Sequence, residues 1–273
     1  PPRSTPKPSS AASDVYKRQA VISAVLVGIA CGMIGVYVVL KRIVFIGGGI
    51  AHSAFGGVGI GYFFGINPVI TAIPFSIASA LGIGVISKKT KVNEDTAIGI
   101  MWATGMAIGV IFASLTHGYV PNLLSYLFGN ILTVPFSDIE IMCTLDLIIL
   151  VSVVLFNKEF LAISFDEEYS KIVGINTTFF YLFLLCLVAL SVVVLIRIVG
   201  VILVIALLTV PATINLNFFH DIKKLMVSSS LTAICANLFG LYISYLFDLP
   251  SGATIIMVLS SLFIAVSILK HNR

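Results

Sequence analysis

Charge is what this chain has least of. Of 273 residues only 10% are charged, 16 basic and 12 acidic, whereas 59% are hydrophobic and the mean hydropathy is +1.11. A soluble domain carries about 25% charged residues. The shortage excludes a water-soluble enzyme, a nucleic-acid binder and a disordered chain, whose low hydrophobicity is the reverse of this. Catalytic motifs are missing too: there is no GxxxxGK[ST] phosphate loop, no HExxH and no GxSxG. The four cysteines, Cys31, Cys143, Cys186 and Cys235, form no CxxC pair and sit inside apolar runs, so they read as small buried hydrophobes. Long apolar runs replace the short alternating segments of a barrel. What remains is an all-α, polytopic membrane bundle.

A span needs about 20 apolar residues. Eight to nine spans fit, at roughly 20–40, 44–65, 69–87, 97–116, 138–157, 177–196, 199–215, 225–247 and 253–269. If the first exits into the cytoplasm, alternate connections hold Lys41, Arg42, Lys88, Lys89, Lys91, Lys158, Lys171, Lys223, Lys224, Lys270 and Arg273, and the opposite side holds Arg197 alone. That is a strong positive-inside bias, and an error of one span would scatter the lysines across both sides. The segment 1–19 breaks the rule with Arg3, Lys7, Lys17 and Arg18. It is rich in Pro and Ser and lacks the apolar core of a signal peptide. Its last ten residues resemble a translated adapter, so we expect a disordered or non-native tail ahead of a transmembrane domain over 20–273.

Ionisable groups inside the bilayer cost about 2.5–3.5 kcal/mol each on insertion scales, so they are rare and face the protein interior. Two stand out, His52 in the second span and Asp146 about 12 Å into the fifth at 1.5 Å per residue. Gly48, His52 and Gly56 share one helix face. Such a face leaves room beside a donor nitrogen, which suits a divalent cation or a water file; the other reading is an imidazole bonded to a neighbouring helix. Asp146 has the same two readings, a carboxylate paired with a neighbouring helix or a group lining a transport path. Gly57, Gly61 and Gly65, like Gly28 and Gly32, form small-xxx-small patterns for helix packing. His117, in an outer loop, is a solvated histidine or a ligand at the outer mouth. His220 and His271 fall among cytoplasmic lysines.

The connection at 158–175 differs from the others. Ser164 is placed as an N-cap, Asp166, Glu167 and Glu168 fall in the first turn, and Gly174 is placed to end the helix. Phe165, Tyr169 and Ile172 form one apolar stripe. Such a cytoplasmic helix suits a partner protein, since three acids argue against anionic headgroups.

With these features in view, the chain resembles the permease subunit of the ABC importers for zinc, manganese and iron, the metal-permease or ABC-3 family. The likeness runs over 20–273 through VYVVLKR (36–42), GGIAHSAFGGVGIGY (48–62), LSYLFGNIL (124–132), FDEEYSKIVG (165–174), VGVILVIALLTVPA (199–212) and DLPSGATI (248–255). The resemblance implies a type II importer-like bundle in a prokaryotic plasma (inner) membrane. It implies a pore formed by a homodimer, a separate ABC ATPase that carries the ATP, and an extracellular or periplasmic metal-binding protein. The chain itself would be no enzyme and hold no cofactor; divalent metal would be its substrate. Phe165, Asp166, Glu167, Tyr169 and Gly174 correspond to the helix that contacts the ATPase, and His52 to the family's intramembrane histidine. The family often has Asp four residues earlier, where this chain has Gly48. An Asp–His pair suits Mn²⁺ or Zn²⁺; His52 alone makes a poor cage, and Asp146 substitutes only if the fifth span faces the second. A stand-alone secondary transporter using His52 and Asp146 is the alternative, without the internal repeat that marks many such proteins.

Overall fold

The computed structural model describes residues 10–116, 129, 131 and 134–271; His117 and most of the 124–132 motif lie outside them. Within the described residues the chain is helical, with no strand. In order the helices are α1 (Ser10–Leu40), α2 (Val44–Phe64), α3 (Pro68–Lys89), α4 (Glu94–Leu115), α5 (Phe136–Leu155), α6 (Asn157–Phe165), α7 (Glu167–Ile172), α8 (Thr177–Asn215), α9 (Ile222–Phe247) and α10 (Ser251–His271). Seven segments are long and apolar enough to cross a membrane, and α5 with α6, bent by 73°, makes up to eight.

The count settles at the lower end because α8 reverses within its length and its second part is too short to cross. Gly200 sits at φ 76°, ψ 167°, a conformation open to glycine and costly to other residues. A Cβ placed on Gly47 would lie 3.2 Å from Leu208 and 3.9 Å from Val188. In one straight helix those two residues would be about 30 Å apart, so the chain reverses at Gly200. The part after it, Leu203–Asn215, is too short to count as a span; it rises only about 20 Å against a hydrocarbon core of about 30 Å. The expected seventh span, 199–215, is therefore a short return helix. Gly129, also at positive φ (70°), packs its backbone against this reversal.

The basic residues still gather at one end. Lys41 and Lys88 meet Glu167, Lys158 and Lys223 line one groove, and Lys270 donates to Asn217. The positive-inside rule makes this end cytoplasmic.

Inside the bundle α2 is enclosed by α3, α4 and α8, while α1 packs on α9, α8 and α5. Lipid gives helices no hydrophobic reason to associate, so close backbone approach must supply the contact. Gly57 approaches Ala72 Cα and Gly61 approaches Pro68 Cα, an added Cβ at either falling within 2.8 Å. Gly28 and Gly32 do the same for α1 against Ile234 and Ser230 of α9. Gly65 is different from the packing role expected of it. It closes α2 in the left-handed conformation, its N–H on the carbonyls of Gly61 and Tyr62, with nothing within 4 Å of an added Cβ. The cysteines also divide. Cys31 is buried, but Cys143 and Cys235 are exposed on the outside of the bundle, where the bilayer accepts an apolar side chain as readily as a core does.

Candidate functional site: the His52 seam and the cytoplasmic elbow

Every residue of α2 from Ile46 to Gly59 is buried except His52. The seam it opens onto is set by the packing of α2 on α4. Gly49 faces Ile98, and Gly105 and Gly109 of α4 lie against the backbones of Ser53 and Phe55. With the helices this close, the side chains at the rim of the contact meet face to face. His52 stacks on Trp102 with ring centroids 3.8 Å apart and planes 10° apart. Trp102 is itself 37% exposed on the outer side of α4. The Nδ1 of His52 has no hydrogen-bond partner in the protein. The imidazole bonded to a neighbouring helix is therefore not what the structure contains.

The room expected beside His52 is filled on both sides. Ile205 of α8 occupies the space in front of Gly48, its Cγ1 2.8 Å from an added Cβ. Phe75 and the Gly105 carbonyl occupy the space in front of Gly56. An aspartate at position 48 would have to displace Ile205. What remains open is the seam edge, on the Trp102 side.

Asp146 lies elsewhere. It is 6% exposed, both of its carboxylate oxygens lack a hydrogen-bond partner, and Cys31 of α1 is within electrostatic reach. Its helix α5 packs on α1 and α8, whereas α2 packs on α3, α4 and α8. The fifth span does not face the second, so His52 and Asp146 are not brought together. Among the described residues no three His, Cys, Asp or Glu side chains form a metal-holding group.

At the cytoplasmic end, α6 and α7 form an elbow. Tyr37 donates to Asn157 at 2.8 Å and Lys41 to the Ile163 carbonyl at 2.5 Å, holding α6 against α1. The N-cap of α7 is Asp166, whose Oδ1 accepts from the Tyr169 N–H at 2.9 Å. Ser164, the expected cap, instead bonds back to the Phe160 carbonyl inside α6. Gly174 lies just past the end of α7 at φ 92°. Glu167 turns inward and meets Lys88 at 2.5 Å, Lys41 at 3.3 Å and Lys171 at 3.5 Å. Lys88 and Lys41 also lie over the Tyr181 ring of α8, 4.9 and 5.9 Å from its centroid. Partial burial pushes the Glu167 carboxyl up, but the Lys88 and Lys41 ammonium groups outweigh that and hold it at about 2. The other side of the elbow is bare: Phe165 is 70% exposed, Tyr169 62% and Ile172 83%.

Of the residues placed on the elbow from sequence, Phe165 and Tyr169 thus point outward, Asp166 caps, Gly174 follows the helix end and Glu167 ties. Sequence reasoning missed Trp102. Its one signal was that it is the chain's single tryptophan, placed in mid-span.

Fold and site define a class: a multi-pass helical membrane protein with one ionisable seam in its bilayer region and an unpartnered apolar elbow at its cytoplasmic end. The ABC 3 transport family matches residues 13–270, and the chain belongs to it. It is 45% identical over 246 residues to an uncharacterised membrane protein of Synechocystis sp., covering 90% of this chain and 87% of that one. It is 37% identical to the manganese transport system membrane protein MntC of Listeria monocytogenes (91% and 88% covered). It is 30% identical to the manganese import system permease protein ScaB of Streptococcus gordonii (91% and 89%). Among solved structures, PsaBC from Streptococcus pneumoniae in complex with Fab superposes with a TM-score of 0.83 at 31% identity, covering 92% of this chain and 90% of that one.

Proposed function

We propose that this chain is the pore-forming permease subunit of an ATP-driven importer of divalent first-row metal ions, with manganese the leading substrate and zinc and iron within its range. The observation that carries the reading is the burial pattern of α2: its central stretch, Ile46–Gly59, is buried except at the imidazole of His52, which no hydrogen bond ties to a neighbouring helix. The names of the relatives MntC and ScaB support manganese. The pore forms between two copies of the chain, and each contributes one His52 to it. A single imidazole per copy, with no carboxylate at position 48, binds Mn²⁺ weakly. Weak binding suits transport, because an ion held tightly leaves slowly.

The chain does not hydrolyse ATP. Phe165, Tyr169 and Ile172 are the surface on which a separate ATPase subunit docks, and Asp166 and Gly174 set the ends of that helix. Glu167 is the tie that fixes the docking helix to α1 and α3. An extracellular or periplasmic metal-binding protein delivers the ion at the opposite end, and no resident cofactor is needed. The test is uptake of radiolabelled manganese, zinc and iron into proteoliposomes holding this chain and its ATPase, with the metal-binding protein supplied on the outer side. ATP-dependent manganese uptake that falls in His52→Ala supports the reading; uptake that runs without ATP, or is unchanged in His52→Ala, overturns it.

A further inference from the structure

We infer that Trp102 is the residue that positions His52 for the passing ion. The inference rests on the proposed transport role of His52 and extends it to a second helix. The indole covers one face of the imidazole at 3.8 Å and almost parallel. A ring stacked in this way is held with its plane parallel to the indole, so its in-plane lone pair points along the contact and not into it. The protein offers Nδ1 no partner, so packing, not a hydrogen bond, fixes the orientation. Nδ1 itself is enclosed, so the part of the imidazole that reaches the seam is the remaining edge of the ring. The close α2–α4 approach leaves little room for the ring to swing away, since Ser53 lies against Gly105 and Gly49 against Ile98 on either side of His52. Part of the indole remains exposed beside the stack, and aromatic faces attract cations.

A neighbouring apolar residue would fill the same space without doing the same work. Leucine keeps bulk but has no flat face and no quadrupole, whereas phenylalanine keeps both. The ordering of these two substitutions therefore separates positioning from simple packing.

Trp102 is the only tryptophan in the chain, so its emission reports on this site alone. The full chain in detergent micelles is titrated with MnCl₂, whose paramagnetic ion quenches a fluorophore it approaches. Saturable quenching in the wild type, absent in His52→Phe, is the expected result; equal quenching in both, or none in the wild type, overturns the proposal. In proteoliposomes with the ATPase and the metal-binding protein, Trp102→Leu is expected to raise KM for manganese about tenfold, the size of a partly desolvated cation–π contact, with the maximal rate little changed. Trp102→Phe is expected to stay near wild type. Equal KM values for the Leu and Phe variants overturn the positioning role. Saturable quenching without ATP-driven uptake by the wild type leaves this site standing and removes the importer reading instead.

Discussion

His52 and Asp146 are both ionisable groups deep in apolar helices, and the structure gives them opposite surroundings. His52 sits at a seam, its ring against Trp102 and its edge open. Asp146 is enclosed at 6% exposure beside Cys31, with neither oxygen partnered. The insertion cost alone marks both as functional candidates. Their neighbours separate them: one stands half-buried at a seam between two helices and the other is enclosed in the wall of the bundle. The elbow repeats the contrast on a smaller scale, with Glu167 bound inward to three lysines and Phe165, Tyr169 and Ile172 turned outward with nothing on them.

Each side of that contrast has a substitution that sharpens or breaks it. The largest effect is expected from His52→Ala, which removes the imidazole at the seam. Manganese uptake should fall about a hundredfold, the upper range for loss of groups that support a metal site, with membrane insertion and ATPase binding unchanged. Next, charging the bare stripe with Phe165→Asp and Tyr169→Asp should weaken ATPase co-purification about thirtyfold, as for the loss of an interface hot spot. Intact complex yield would mean that the ATPase docks elsewhere.

A smaller effect is expected from Glu167→Gln, which cuts the inward tie and leaves the stripe in place. Co-purification should change by no more than about threefold, the range of exposed ion pairs, while amide exchange in residues 157–174 accelerates. The pH dependence has a definite sign. The folded carboxyl is held at about 2, below its ordinary 4.5, so the tie is fully present above 4.5 and is lost as pH falls from there towards 2. Protection of the wild-type elbow amides, taken relative to their intrinsic exchange rates, should therefore fall between pH 5 and pH 2.5 and approach that of Glu167→Gln. A pH-independent difference between the two would contradict the ion-pair account.

The sequence made much of this legible, and the gaps have physical causes. The all-α class, the cytoplasmic end, His52 and the elbow followed from apolar length, lysine placement and motif residues, because each is a local property. The reversal near Gly200 was legible as the break between the spans at 177–196 and 199–215, but the shortness of the return helix, Leu203–Asn215, was not, because apolar composition alone does not mark where its helix begins. Gly65 deceived as well: its spacing matched Gly57 and Gly61, but its φ of 66° makes it a cap. The Asp166 cap and the Ser164 back-bond are two outcomes open to adjacent polar residues, and only backbone geometry chooses between them. Trp102 as the partner of His52, and Ile205 as the occupant of the Gly48 face, depend on the register of one helix against another. No single-helix periodicity contains that register.

The smallest effect belongs to Asp146→Asn, which replaces an unpartnered enclosed carboxyl by a neutral group of the same shape. The most direct test of the account sets it beside His52→Ala in the same proteoliposome preparation with radiolabelled manganese. The account predicts that Asp146→Asn stays within about twofold of wild type, as expected for a residue outside the ion's path, while His52→Ala loses uptake. Loss of uptake in Asp146→Asn with correct assembly, or its retention in His52→Ala, would contradict it.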